Sequence, residues 1–260
     1  MTRLLDPIPL ALGFVMFAIV SILFYEAGFR LGRWWQRRMP GEQEGPADML
    51  VGSILALMAF LLAVTMGMAS DRFDTRRGLV LAEANAIEGA FLQADYLPDP
   101  QADELKELLR EYVPLRIAPS DPSQLPAMMA QGTELRARMW TVLASVARSG
   151  HSPDLMSALG DQLTELTNLN ETRVVGGLYS RVPETVLAYL LLGSALSLGM
   201  VGYTAGLRER RSVLSAAVLI VVMGAVLMLV VDLDRPQDGL INVSQQALID
   251  VQLRLGPPAP

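Results

Sequence analysis

Apolar residues in this chain gather into four long runs, separated by sequence rich in charge or proline. The runs extend from about Ile8 to Phe29, from Met49 to Ala69, from about Val186 to Leu207 and from Val213 to Val231. A helix rises 1.5 Å per residue and the bilayer's hydrocarbon core is about 30 Å thick, so roughly 20 apolar residues suffice to cross it. Peptide groups in lipid find no water to bond, so each run must take helical form. The pattern predicts an all-α integral membrane protein with four transmembrane helices. The first run carries Glu26 at its end and is followed by Arg30, Arg33, Trp34, Trp35, Arg37 and Arg38, with no small-residue cleavage site. Aromatics and cations of this kind belong at headgroup level, and the run is read as an anchor that stays, not as a signal peptide.

Between the second and third runs the apolar residues are spaced for helices in water. Val80, Ala84, Ile87, Ala90, Phe91 and Ala94 continue the second run without a breaker, which predicts one long rod leaving the bilayer. Leu97-Pro98 ends it, and Asp99-Pro100 is the expected cap and start of the next helix, whose stripe is Leu105, Leu108, Leu109, Tyr112 and Val113. Pro119, Pro122 and Pro126 predict a loop. A helix over about Ala127 to Arg148 follows, with Leu135, Met139, Val142, Leu143 and Val146 inward. Ser152-Pro153-Asp154 then caps a last one carrying Leu155, Leu159, Leu163, Leu166 and Leu169. Pro183 marks a kink or restart before the third span. The expected organisation is a first helix pair in 1–69, a helical extramembrane domain in 70–182, a second pair in 183–233 and an extramembrane tail in 234–260.

Charge gives a direction to this layout. The short loops after the first and third spans carry Arg30, Arg33, Arg37 and Arg38, and Arg208, Arg210 and Arg211. Helix parity puts both on one side, and the positive-inside rule makes that side cytoplasmic, leaving the middle domain outside the cytoplasm. Arg72, Arg76, Arg77, Arg173, Arg181 and Arg235 flank the spans on the other side and pull against that assignment.

Composition mainly excludes. Among 260 residues, 52% are hydrophobic and only 18% charged, with a net charge of −6, so the basic surface of a nucleic-acid binder is missing. There is no cysteine and one histidine, which removes disulfides, thiolate nucleophiles and Cys/His metal sites. His151 sits in a Gly-His-Ser-Pro turn and reads as a solvated loop residue. No phosphate-binding, dinucleotide or hydrolase motif is present. Neither an enzyme nor a cofactor is expected.

The residues left to carry function lie on the spans. Gly52, Ala56, Ala59, Ala63 and Gly67 form a small-residue stripe on the second span, and Ala195, Gly199, Gly202 and Gly206 form one on the third. Such stripes let helices approach closely in lipid, within a chain or between subunits. The opposite face of the second span offers Leu57, Phe60, Leu61, Val64 and Met68, which either faces lipid or makes an apolar constriction around an axis. No ionisable residue lies near a span midpoint, where proton-driven carriers place them. Asp71, Arg72, Asp74, Arg76 and Arg77 follow the second span and Asp232, Asp234 and Arg235 the fourth. They read as interfacial charges, or as a charged mouth; two carboxylates are too few to specify a metal.

The stretch Ala59-Phe60-Leu61-Leu62-Ala63, then Ala69-Ser70-Asp71-Arg72-Phe73-Asp74-Thr75-Arg76-Arg77, resembles a bacterial family of membrane proteins termed bestrophin-like. So do Glu83-Ala84-Asn85-Ala86-Ile87, Gly202-Tyr203 with Gly206-Leu207, and the tail Asp232-Leu233-Asp234-Arg235-Pro236 with Gly239-Leu240-Ile241 and Val243-Ser244-Gln245-Gln246. The resemblance implies kinship with pentameric anion channels that have four spans and a helical domain after the second. In bestrophins that domain is cytosolic, the reverse of what short-loop charge implies here. The expectation is a homo-oligomeric, channel-like protein of the cell's inner membrane that passes anions; the alternative is a non-conducting scaffold or sensor whose helical domain binds a partner.

Overall fold

The computed structural model describes residues 9–39, 44–117, 122–149, 153–178, 182–235 and 239–258. Eight α-helices occur among them: α1 (Leu10–Arg38), α2 (Glu44–Gln93), α3 (Gln101–Arg116), α4 (Leu125–Arg148), α5 (Pro153–Leu178), α6 (Glu184–Leu207), α7 (Val213–Asp234) and α8 (Gln246–Leu255). There is no strand among the described residues. Four helices are long and apolar enough to cross a membrane: α1, α2, α6 and α7. The chain divides into two compact units, residues 1–73 with 181–242, and residues 74–180 with 243–260.

In the first unit α1 and α6 meet backbone to backbone. A Cβ added to Gly28 would lie 1.9 Å from the Gly199 carbonyl oxygen, and one on Gly32 would lie 2.2 Å from that of Tyr203. From the other side, Gly202 and Gly206 would strike the carbonyls of Tyr25 and Phe29 at 2.1 and 2.3 Å. Only glycine fits at all four places, because the obstacle is main chain and cannot rotate away. The contacts advance together along both helices, so α1 and α6 run parallel. Against α7 the register reverses: Phe14 and Phe17 pack over Gly224, and Met228 packs over Gly13. α2 joins through Met58, whose sulfur lies 2.6 Å from where a Cβ on Gly193 would be. Met58 and Leu62 share an apolar core with Phe17, Leu190, Leu198 and Ile220.

In the second unit α2, α3, α4, α5 and α8 bury one continuous core. Ile87, Leu105, Leu108, Leu109, Tyr112, Met139, Leu159 and Leu248 are among its fully enclosed members. Burial of each such side chain is worth about 1.5–3 kcal/mol relative to leaving it in water. The periodic positions read from sequence on α3, α4 and the second half of α2 lie inward, except that Phe91 is only partly buried. Two boundaries differ from expectation. Pro100 stands at the N-cap of α3 with no side-chain cap, so Asp99 lies one residue too early to cap it. Pro126 falls in the first turn of α4, where a missing N–H costs nothing, and a short 3-10 turn, Pro122–Gln124, immediately precedes that helix. α5 begins at Pro153; Ser152, His151 and Pro119 lie outside the described residues.

Candidate functional site

α2 presents three seams within the first unit. At 3.6 residues per turn they lie roughly a third of a turn apart. Met58, Leu62, Thr65 and Ala69 form the buried seam against the rest of the unit, and the Thr65 hydroxyl donates to the Leu61 carbonyl at 2.8 Å, leaving no polar group loose. Leu57, Phe60, Leu61, Val64 and Met68 form the second seam, all exposed; Phe60 is 64% and Leu57 57% exposed. The third holds Gly52, Ala56, Ala59, Ala63 and Gly67, also exposed, with open space where a Cβ on Gly52 or Gly67 would point. Ala59 and Ala63 border a groove of about 460 Å³ shared with Val222 and Val226 of α7. The apolar seam therefore adjoins the small-residue seam, rather than lying directly opposite it. Together they leave about 16 Å of helix length uncovered by the chain itself, eleven residues' rise from Leu57 to Met68.

The stripe on α6 has a different setting. Gly202 and Gly206 are buried against α1 and Gly199 partly so. Their counterparts are Gly28 and Gly32, which the sequence reading passes over, although their four-residue spacing is a close-packing signal in its own right.

The charged groups at the span ends are mostly engaged. Asp232 is buried, and its carboxylate accepts the backbone N–H of Leu240 at 2.7 Å and of Ile241 at 3.1 Å. A Cβ on Gly239 would lie 2.5 Å from that carboxylate, which explains the glycine in the turn. Asp234, also buried, accepts the N–H of Val182 at 2.6 Å. Both carboxylates thus fold the segments that leave α7 and enter α6. Arg235 is buried beside them. On α2, Asp71 is exposed and Arg72 partly buried in the first unit; Arg76 is buried and Arg77 exposed in the second. Among the described residues no group of three or more ligand-type side chains could hold a metal.

At the other end of the first unit, Glu26 accepts from Arg30 at 2.9 Å and from Arg211 at 3.2 Å, and Asp48 pairs with Arg208. Arg211 also lies over the Phe29 ring at 4.5 Å, with Arg33 over the same ring at 5.9 Å.

The second unit contains a buried ionic node. Glu83, wholly enclosed, accepts from Arg116 at 2.5 Å and from Arg173 at 2.6 Å. Arg173 further donates to the Arg116 carbonyl at 3.0 Å and to Gln245 at 2.7 Å. Arg116 stands over the Tyr112 ring, whose hydroxyl accepts from Arg136 at 3.3 Å. Burial pushes the Tyr112 phenol above its ordinary value; Glu83 pushes the same way, and Arg116 and Arg136 pull back. Sequence separation hides this node, because no local spacing ties Glu83 to partners so far along the chain. α8 is likewise absent from the sequence reading, though Leu248, Val251 and Leu255 keep helical period and are buried.

Comparison with known proteins agrees with this arrangement. Residues 15–248 match the family described as Bestrophin-like domain. Among solved structures the chain is similar to a mutated form of a bacterial Bestrophin homolog from Klebsiella pneumoniae, with 12% identity, a TM-score of 0.65, and coverage of 95% of this chain and 98% of that one. A second structure of a Bestrophin homolog from that organism, obtained by Zn-SAD phasing, gives 12% identity and a TM-score of 0.61 over 95% of this chain and 97% of that one. No curated protein matches. At such identity the likeness carries fold, and the four spans with their helical second unit are that fold.

Proposed function

The chain belongs to the Bestrophin-like family, and from that premise we propose that it is a homo-oligomeric, channel-like membrane protein that passes anions along an axis lined by α2. The observation that carries this reading is the uncovered pair of seams on α2. Leu57, Phe60, Leu61, Val64 and Met68 stand exposed beside an open small-residue stripe, Gly52, Ala56, Ala63 and Gly67. In an assembly with α2 around the axis, the small stripe lets neighbouring subunits close in and turns the large seam inward. Five copies, the number the family resemblance suggests, would stack rings of Leu, Phe and Val.

A narrow apolar neck of this kind controls flow by dewetting: a hydrated ion finds no polar wall to replace its water shell, and the neck empties unless it widens. The lack of ionisable residues at the span midpoints suits a passive conduit rather than a proton-coupled carrier. The charges nearest the lower end of the α2 seam, Asp71 and Arg72, would then sit by its mouth.

The test is reconstitution of the full chain in liposomes with chloride efflux as readout, alongside electron microscopy of the detergent-solubilised particle. A closed ring with a central hole and anion efflux are expected. A monomer without flux would overturn the reading and favour a scaffold or sensor that binds a partner through the second unit. Sidedness needs its own experiment: short-loop charge puts a reporter after residue 40 in the cytoplasm, whereas the bestrophin arrangement puts one after residue 120 there.

A further inference from the structure

A second feature of the first unit points to a ligand of different chemistry. Between α1 and α7 lies a groove of about 420 Å³, walled by Phe14, Ala18 and Ile22 on one side and Ala217, Ile220 and Val221 on the other. Tyr25, Glu26 and Arg211 close one end. The walls belong to two helices that cross the bilayer, so at their depth the surrounding medium is acyl chain. The end is another matter.

Three guanidinium groups gather there, two of them sharing a single carboxylate. Arg30 and Arg211 share Glu26, and Arg33 joins Arg211 over the Phe29 ring. The cations are reachable: the Arg30 side chain is 74% exposed and that of Arg211 53%. α7 starts at Val213, two residues beyond Arg211, and its N-cap Ser212 makes no side-chain capping bond but donates instead to Ser215 at 2.6 Å. The positive end of a 22-residue helix therefore opens at the same mouth. Inside, Tyr25 is 9% exposed and its hydroxyl has no hydrogen-bond partner among the described residues. A neutral lipid would satisfy the walls but leave the excess positive charge unanswered.

We propose that this groove is a binding site for an anionic phospholipid. The acyl chain lies between Ile22 and Val221, the phosphate is held by Arg211, Arg30 and the N-terminus of α7, and a glycerol or ester oxygen accepts the Tyr25 hydroxyl. The site is independent of conduction, and a non-conducting protein would hold the same lipid.

Native mass spectrometry of the full-length protein, purified in mild detergent with equal phosphatidylglycerol and phosphatidylcholine, tests it. Wild type is expected to retain phosphatidylglycerol preferentially, Arg211→Gln to lose about fivefold of that preference, the scale of one cation at an anionic surface, and Arg211→Lys to keep most of it. Tyr25→Phe should lower retention of bound lipid without altering headgroup preference, and Ala217→Trp, which fills the groove, should abolish retention. Circular dichroism and particle size identify any variant that misfolds. Equal retention of the two lipids by wild type, or a preference unchanged in both Arg211→Gln and Ala217→Trp, overturns the proposal. So does disulfide cross-linking between copies through V221C in this otherwise cysteine-free chain, which would mean that a neighbouring subunit covers the groove.

Discussion

Arg173 of α5 donates a hydrogen bond of 2.6 Å to Glu83 of α2 across 90 positions of sequence. Glu83 has no contact with solvent, and Arg116 completes its coordination from α3. A buried carboxylate between two guanidiniums is costly to dismantle by halves, because the unmatched charges stay behind. Glu83→Ala is expected to destabilise the second unit by about 3–5 kcal/mol. Replacing Glu83 and Arg173 together by apolar residues should recover part of that loss. Hydrogen exchange of α5 in the full-length protein measures both; an α5 protected to the same degree in Glu83→Ala would refute the node's role.

The α1–α6 contact makes a sharper prediction, because the obstacle is backbone. Gly202→Val places carbon where the Tyr25 carbonyl already is, 2.1 Å from an ideal Cβ. The two helices must separate, and loss of folded, detergent-stable protein is expected, read by thermal melting with size-exclusion chromatography. At Gly52 and Gly67 an added Cβ points into open space among the described residues, and Leu is the substitution to make at each. Gly52→Leu and Gly67→Leu should leave the single-chain fold intact and act, if the α2 stripe packs between subunits, on the size of the particle alone.

The fold was readable at the level of periodicity. Four apolar runs and the stripes on α3, α4 and the second half of α2 follow from side-chain spacing, since burial of one face dictates which positions must be apolar. What escaped was whatever depends on partners distant in sequence. Spacing alone makes Gly52 and Gly67 look equivalent to Gly202 and Gly206, yet the first pair faces open space and the second a carbonyl. Asp232 and Asp234 read as interfacial charge, whereas their partners are the N–H groups of Leu240, Ile241 and Val182, and backbone donors leave no mark in a sequence. Helix ends moved for a related reason: Pro126 breaks a helix interior but fits a first turn.

For the α2 seam, substitutions that wet the proposed neck should raise flux. Val64→Asn and Phe60→Ala are expected to increase chloride efflux from liposomes several-fold without altering particle size, because a polar or wider ring holds water that an apolar one expels. Efflux equal to wild type in both variants would place this seam against lipid instead.

Tyr112 gives a pH signature. Its phenol is held above the ordinary value of 10.0, chiefly by burial, so the folded state favours the neutral form. The stability this confers is fully present below about pH 10, the unfolded value, and is lost as pH rises through the higher folded value. Melting of wild type and Tyr112→Phe should therefore differ by a constant amount up to about pH 10. Above that, wild type should fall faster. Parallel curves through the alkaline range would show that the phenol does not titrate with unfolding.

The glycine faces of α1 and α6 also set an order of events during synthesis. Gly28 and Gly32 leave the ribosome before α2, α3, α4 and α5, and the carbonyls they must nest against come after all of these. At about 5–20 residues per second that interval is on the order of ten seconds. Throughout it the first span lacks the α6 backbone against which its glycines finally nest. This backbone-to-backbone contact is thus among the last to form, and translation beyond α5 becomes the step that commits the membrane half to its final shape.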